Sequence, residues 1–434
     1  MNSTLAYIFL MINIIFSVSS SNALTFKLIH RDSPQSPLFQ PNLSNLQSYL
    51  REIKTSKTRV SYLKSLTNLE TKFHKTIFKR SLSVTSSFFT INLPVGVPET
   101  KTALVFDITS PLTWMQCKPC KQCFKQKLPI FDPYKSQTFR RMYRKHTQLA
   151  KLFNCTDYEC TYDVDTRSIL SSIGSVSIEK FKYISKDLVF GCGTRNDLAF
   201  HPTETGVTGV LGMANFNTSF IRQLADNRDD ARFSYCLSSS WRKSSILKIG
   251  GDDLISNERH NVQTTKFLRG PIRGKSLRGG EYRLKLIGIS VAGKRLDIPI
   301  NFEYSGCIVD TVSPVSALDV WAYQNVMNAI SGYFARFKNV KRLMHKKYWD
   351  KLCFKYPRGF SDFPGMVWHF EGANLEVNGT NLFLFGNDLF GSRFVCLQLL
   401  GHSKTNILGV YQQRNVRFLF DLENEELSFV QKSC

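Results

Sequence analysis

The sequence predicts a mainly β protein built as two similar lobes with a few short helices, and three observations point there. First, a motif occurs twice. Leu104-Val105-Phe106-Asp107-Ile108-Thr109-Ser110 and Cys307-Ile308-Val309-Asp310-Thr311-Val312-Ser313 each lead from an apolar strand into an aspartate and small hydroxyl-bearing residues. Further along each half come two apolar residues and a glycine, Val210-Leu211-Gly212 and Ile407-Leu408-Gly409. Second, short β-rich runs bounded by Gly and Pro fill the chain from Phe88 onward. Third, helical spacing is rare. An aspartate after one apolar strand is usually a turn residue. The paired pattern carries more, because it gives each lobe a carboxylate to present to a shared cleft.

Taken in order, the chain opens on an apolar run from Leu5 to Val18 that leads through Ser-rich sequence to Ala23, the layout of a secretory signal peptide over residues 1–23. No Lys or Arg precedes the run, which is short for a membrane span, and no later uncharged stretch matches it. The expectation is a soluble protein, secreted or vacuolar, with no membrane contact once the signal is removed. Residues 24–80 read as a prosegment. Phe26 to Pro34 looks extended, and Leu43 to Leu66 sets apolar positions at helical spacing among basic residues. Such a stretch ahead of paired carboxylates either plugs their cleft by charge pairing or stays solvated, and spacing favours neither.

The lobes are expected at 81–270 and 271–434, meeting in the Gly/Arg-rich segment from Leu268 to Gly280. Strand candidates are Phe88 to Leu93, Thr102 to Phe106, Ile173 to Ile178, Ser185 to Phe190, Ile246 to Ile249, Tyr282 to Val291, Phe394 to Leu399 and Val416 to Asp421. Helical patterns cover Ser219 to Ala225 and Val320 to Phe337.

Composition fits a secreted globular protein. With 434 residues, 42% of them hydrophobic, the chain can bury two cores, and eleven cysteines in that setting argue for disulfides. The formal charge is +23, with eleven Lys/Arg against three Asp/Glu in residues 27–80. A surplus of this kind attracts polyanions such as acidic polysaccharide or nucleic acid, although a cluster such as Arg140-Arg141-Met142-Tyr143-Arg144-Lys145 reads more simply as solvated surface. No nucleic-acid motif is present, and secretion argues against that role. Cys117-x-x-Cys120-x-x-Cys123 lacks the fourth cysteine of an iron–sulfur run, the eight histidines show no metal-ligand spacing, and Gly191-Cys192-Gly193 and Gly250-Gly251 read as turns. Asn42, Asn154, Asn217 and Asn378 begin N-glycosylation sequons, the first of them within the prosegment.

Ordered motifs then carry a resemblance. Val95-Gly96-Val97-Pro98, Trp114-Met115-Gln116-Cys117, Pro129-Ile130-Phe131-Asp132-Pro133, Phe190-Gly191-Cys192-Gly193, Phe233-Ser234-Tyr235-Cys236-Leu237 and Ile407-Leu408-Gly409-Val410-Tyr411-Gln412-Gln413 resemble the nepenthesin-like plant branch of the pepsin-type aspartic peptidases. Lys27-Leu28-Ile29-His30-Arg31-Asp32-Ser33-Pro34 is similar to that branch's prosegment. The resemblance implies a bilobal fold that meets polypeptides as a monomer, without metal or cofactor. Asp107 and Asp310 would form a dyad sharing one proton and activating water against a peptide bond. It also implies substrate-side roles for Trp114, Thr166, Ser110, Thr311 and Ser313.

The family pattern is Asp-Thr/Ser-Gly at both sites, whereas here the sites read Asp107-Ile108-Thr109 and Asp310-Thr311-Val312. Ile108 lacks the hydroxyl that ties one loop to the other lobe, and Thr109 and Val312 put branched side chains where glycine lets a backbone N–H approach the carboxylate. Thr166 stands where the family has its flap tyrosine. The expected function is therefore an aspartic endopeptidase homologue with weak or lost activity, and the alternative is a non-catalytic cell-wall inhibitor or binding protein. By resemblance the cysteines pair as Cys117–Cys120, Cys123–Cys192, Cys236–Cys434 and Cys353–Cys396. Cys155 and Cys160 remain to pair with each other, leaving Cys307 as a buried thiol.

Overall fold

The structure is a computed structural model that describes residues 23–36, 38–41, 45–67, 88–164, 170–198, 206–225, 231–250, 261–268, 280–298, 306–343, 352–387, 391–401 and 406–434. Strands dominate it. Leu24–His30 pairs antiparallel with Ser245–Ile249 on one side and with Phe89–Ile91 on the other. From Phe89–Ile91 the sheet continues through Leu104–Asp107, Gly209–Gly212, Trp114–Gln116, Asp187–Leu198, Leu170–Lys180 and Cys160–Val164 to Asn154–Cys155. In the other direction it passes through Arg232–Cys236, Val416–Asp421 and Glu426–Gln431 to Gln263–Lys266. The extended part of the expected prosegment is thus an interior strand of a 15-stranded sheet, with Phe26 and Leu28 buried in the main core. Among the described residues, three smaller sheets of five, four and four strands hold the remaining strands.

The repeated motif has a direct structural meaning. Leu104–Asp107 lies parallel to Gly209–Gly212, and Cys307–Val309 lies parallel to Asn406–Leu408. In both halves the chain after the aspartate crosses the end of the partner strand. A Cβ on Gly212 would lie 2.5 Å from the Leu112 backbone, and one on Gly409 would lie 2.7 Å from the Val315 backbone. That crossing is why each apolar pair must end in glycine.

Helices form at Asn45–Thr67, Phe220–Ala225 and Val320–Ala335, close to the spans expected from spacing. The last is capped by the Asp319 side chain, which accepts from the Trp321 N–H, and it buries Ala322, Val326, Ile330 and Phe334 along one stripe. Two expected strands are each divided. Tyr282 to Val291 yields Arg283–Leu284 and Leu286–Val291 in different sheets. Phe394 to Leu399 breaks at Gln398, whose N–H leaves the ladder to donate to the Leu382 carbonyl. Most of the expected linker, the flap position Thr166 and the sequon at Asn42 lie outside the described residues. Among the described residues no helix is long and apolar enough to cross a membrane.

The disulfides correct one part of the expected pairing. Cys117 bonds Cys192 and Cys120 bonds Cys123, in place of Cys117–Cys120 and Cys123–Cys192. Trp114–Gln116 runs parallel to Gly191–Gly193, and this register brings the Cα atoms of Cys117 and Cys192 to 5.3 Å. Cys120 lies beyond the Lys118-Pro119 turn and meets Cys123 instead. Cys155–Cys160, Cys236–Cys434 and Cys353–Cys396 are also bonded, and Cys307 is a buried thiol that burial pushes upward in pKa.

Candidate active site

Each parallel strand pair ends in a tight loop that turns its aspartate inward. Asp107 is 4% exposed and Asp310 is 0% exposed. Thr109 donates to Asp107 Oδ1 through both its backbone N–H and its hydroxyl, each at 2.9 Å. The N–H groups of Val312 and Ser313 donate to Asp310 Oδ1 at 3.2 Å and Oδ2 at 3.0 Å, and the Ser313 hydroxyl reaches Oδ2 at 2.6 Å. Neither Thr109 nor Val312 has a positive φ. Losing the two glycines therefore costs no carboxylate contact, because both replacement residues keep the N–H in place. The Val312 branch packs with Val105, Leu112 and Trp114 in a buried cluster.

The lobes are tied together from one side. The Thr311 hydroxyl donates to the Phe106 carbonyl at 2.9 Å and accepts from the Ile108 N–H at 3.4 Å. Ile108 is fully buried and offers no hydroxyl in return. The Ser110 hydroxyl turns away from Asp107 and donates to the Leu112 carbonyl. Trp114 is fully buried rather than lining an open cleft. From the closing motif, Gln413 Nε2 donates to the carbonyls of Asp310 and Leu408, while its Oε1 accepts from the Tyr235 hydroxyl.

The group between the carboxylates is Arg59. Its Nη2 lies 2.8 Å from Asp107 Oδ1, 3.1 Å from Asp310 Oδ1 and 2.5 Å from Thr109 Oγ1, and its Nε lies 3.1 Å from Asp310 Oδ2. One nitrogen within reach of both carboxylates establishes that the two aspartates converge. It also occupies the space between them. Of the two alternatives for this stretch, charge pairing in the cleft is the one the structure adopts. Sequence reasoning identifies the basic helix but not the residue. The available signal is a cation flanking the buried stripe Ile53, Ser56, Val60 and Leu63 of Asn45–Thr67, a position that Arg59 shares with the buried Arg51 two turns earlier. Ile53, Val60 and Leu63 pack on Ile308, Val315, Ala317 and Ile407, and the Ser56 hydroxyl accepts from the Val315 N–H at 2.9 Å.

A second buried polar cluster pins the same helix. Tyr411 donates to Glu52 Oε2 at 2.8 Å. The Arg414 guanidinium sits 3.6 Å from the ring centroids of both Trp241 and Tyr411, and His30 stacks on Trp241 at 3.6 Å. Arg51 pairs with Asp32 beside them. Burial raises Glu52 to about 7, against weaker lowering by Arg51, Tyr411 and Arg414. Burial, followed by Arg414, Arg51 and Arg31, holds His30 well below the usual imidazole range. Among the described residues no group of three or more His, Cys, Asp or Glu is placed to hold a metal ion.

Known proteins resemble this chain over most of its length. Residues 89–251 match the family described as "Xylanase inhibitor N-terminal", and residues 281–431 match "Xylanase inhibitor C-terminal". A probable aspartic protease of Arabidopsis thaliana is 27% identical, covering 96% of this chain and 96% of its own length. Aspartic proteinase nepenthesin-1 of Nepenthes gracilis is 26% identical over 91% of this chain and 87% of its own. The crystal structure of basic 7S globulin from soybean matches with a TM-score of 0.60 at 16% identity, covering 80% of this chain and 94% of that one. Conglutin gamma from lupine seeds matches with a TM-score of 0.62 at 17% identity over 80% and 92%.

Proposed function

The chain belongs to the pepsin-like aspartic peptidase family, and on that premise we propose a secreted homologue whose Asp107/Asp310 dyad hydrolyses peptide bonds weakly or not at all, with Asn45–Thr67 filling its cleft. The observation that carries this reading is the single Arg59 nitrogen lying 2.8 Å from one carboxylate and 3.1 Å from the other. With the helix withdrawn, two such carboxylates share a proton. The ionised one accepts a proton from water as the water attacks a peptide carbonyl, and the protonated one donates to the developing oxyanion. Without a hydroxyl on Ile108 the first loop is tied through Thr311 from one side, and small losses of positioning cost large factors in rate. Glycosylation at Asn154, Asn217 and Asn378 belongs to the same secreted reading, and all three side chains are exposed.

The second reading is a binding or inhibitory protein on this scaffold, associated with a partner protein or acidic polysaccharide. Residues 118–151 favour it, since they carry ten Lys/Arg against one Asp and all ten basic residues are exposed. The deciding experiment is digestion of a denatured protein at acid pH with and without pepstatin, with Asp107→Asn as the control. Little cleavage by the wild type is expected. Robust pepstatin-sensitive cleavage, abolished in Asp107→Asn, would establish an ordinary acid endopeptidase and overturn the weak-activity reading.

A further inference from the structure

We propose that Thr109 makes the carboxylate pair a guanidinium-binding site, and that its hydroxyl sets selectivity for arginine over lysine. This concerns what the pair binds rather than whether it cuts, so it goes beyond the reading above. The geometry is specific to a planar fork. Nε and Nη2 of Arg59 face the two oxygens of Asp310, each at 3.1 Å, which is the bidentate arrangement. That contact uses one Nη2 proton. The other points at two acceptors together, Asp107 Oδ1 at 2.8 Å and Thr109 Oγ1 at 2.5 Å. Thr109 in turn directs its own hydroxyl proton to Asp107 Oδ1 at 2.9 Å, so its oxygen lone pairs face the guanidinium.

Every group in the constellation is buried: Arg59 is 1% exposed, Thr109 2%, Asp107 4% and Asp310 0%. In such a setting each guanidinium proton needs an acceptor; Asp107 Oδ1 supplies one here, and Thr109 Oγ1 adds a second, shorter one that glycine at position 109 would lack. An ammonium group is a point donor. It cannot address both Asp310 oxygens and the Asp107–Thr109 pair from one plane. The threonine that looks like damage to a hydrolytic motif is, in this structure, a ligand to the cation.

The test is a double-mutant cycle in the full chain between Arg59→Lys and Thr109→Val, with Thr109→Ser as the conservative variant. Valine keeps the β-branch and the backbone N–H and removes only the hydroxyl. The readout is hydrogen-exchange protection of the Asn45–Thr67 helix, which does not depend on hydrolysis. Arg59→Lys is expected to lower protection about tenfold more in the wild-type and Thr109→Ser backgrounds than in Thr109→Val, the factor for one hydrogen bond to a charged group. Equal effects in all three backgrounds would overturn the proposal. A second measurement covers the case in which the lysine variant undocks. In Arg59→Ala, millimolar ethylguanidinium should restore protection and ethylammonium should not, and adding Thr109→Val should erase the preference. Equal rescue by the two cations, or a preference that survives Thr109→Val, would refute the assignment.

Discussion

Glu52→Gln offers a quantitative test of how the N-terminal helix is held. Glu52 is 1% exposed, accepts one hydrogen bond from Tyr411, and has no partner for Oε1 among the described residues. Burial raises its pKa from 4.5 to about 7. A carboxyl that binds its proton more tightly when docked favours docking in acid and loses that advantage as pH rises from about 4.5 to about 7. The shift corresponds to about 3 kcal/mol at pH 8.5, and to less than about 1 kcal/mol at pH 5. Glutamine keeps the shape and an acceptor for Tyr411 but has no charge to desolvate. The substitution should therefore stabilise the protein by up to about 3 kcal/mol at pH 8.5 and change little at pH 5, as read by urea unfolding at both pH values. Destabilisation at pH 8.5 would show that Glu52 is ionised and paired with Arg51 or Arg414, and that desolvation is not the dominant effect.

Other expectations follow from the same contacts. His30 is held below 6.5, so the released segment takes up a proton that the docked one refuses, and the contribution of this group falls as pH drops below 6.5. Glu52 acts in the opposite sense, so the two groups offset each other in the wild type as pH falls below 6.5. His30→Gln removes the opposing loss, and in a pH series of thermal melts the variant should gain stability over the wild type as pH drops below 6.5. Ile108→Thr supplies the absent cross-lobe hydroxyl and should raise any pepstatin-sensitive cleavage in the acid assay. Val312→Gly, the reversion the motif suggests, should instead cost about 2–4 kcal/mol of buried packing in denaturant unfolding. Non-reducing peptide mapping should find Cys117 joined to Cys192 and Cys120 joined to Cys123.

Much of the frame is legible because it depends on local pattern. The twin Asp strands, the apolar pairs ending in glycine and the Val320–Ala335 helix are written in short periodic stretches. The disulfide exchange at Cys117 is not, since it depends on the parallel register of Trp114–Gln116 against Gly191–Gly193, which no local signal states. Thr109 and Val312 disturb the loops less than the motif suggests, because glycine is needed only for a positive φ or a close approach. This backbone has no positive φ at either position. Arg59 is one of eleven basic residues between 27 and 80, and helix phase alone does not separate it from Arg51, which is buried too but pairs with Asp32. Glu52, His30 and Arg414 lie far apart in sequence and meet only through the fold.

Arg59 holds the space between Asp107 and Asp310 in the intact chain. Calorimetric titration with pepstatin at about pH 5.5, where the opposing effects of Glu52 and His30 offset each other, reads whether that space is open. The N-terminal helix is monitored by hydrogen exchange in the same sample. The wild type should not bind pepstatin while the helix stays protected, and binding should appear once Arg59→Ala releases it. Stoichiometric pepstatin binding by the wild type with the Asn45–Thr67 amides still protected would contradict it.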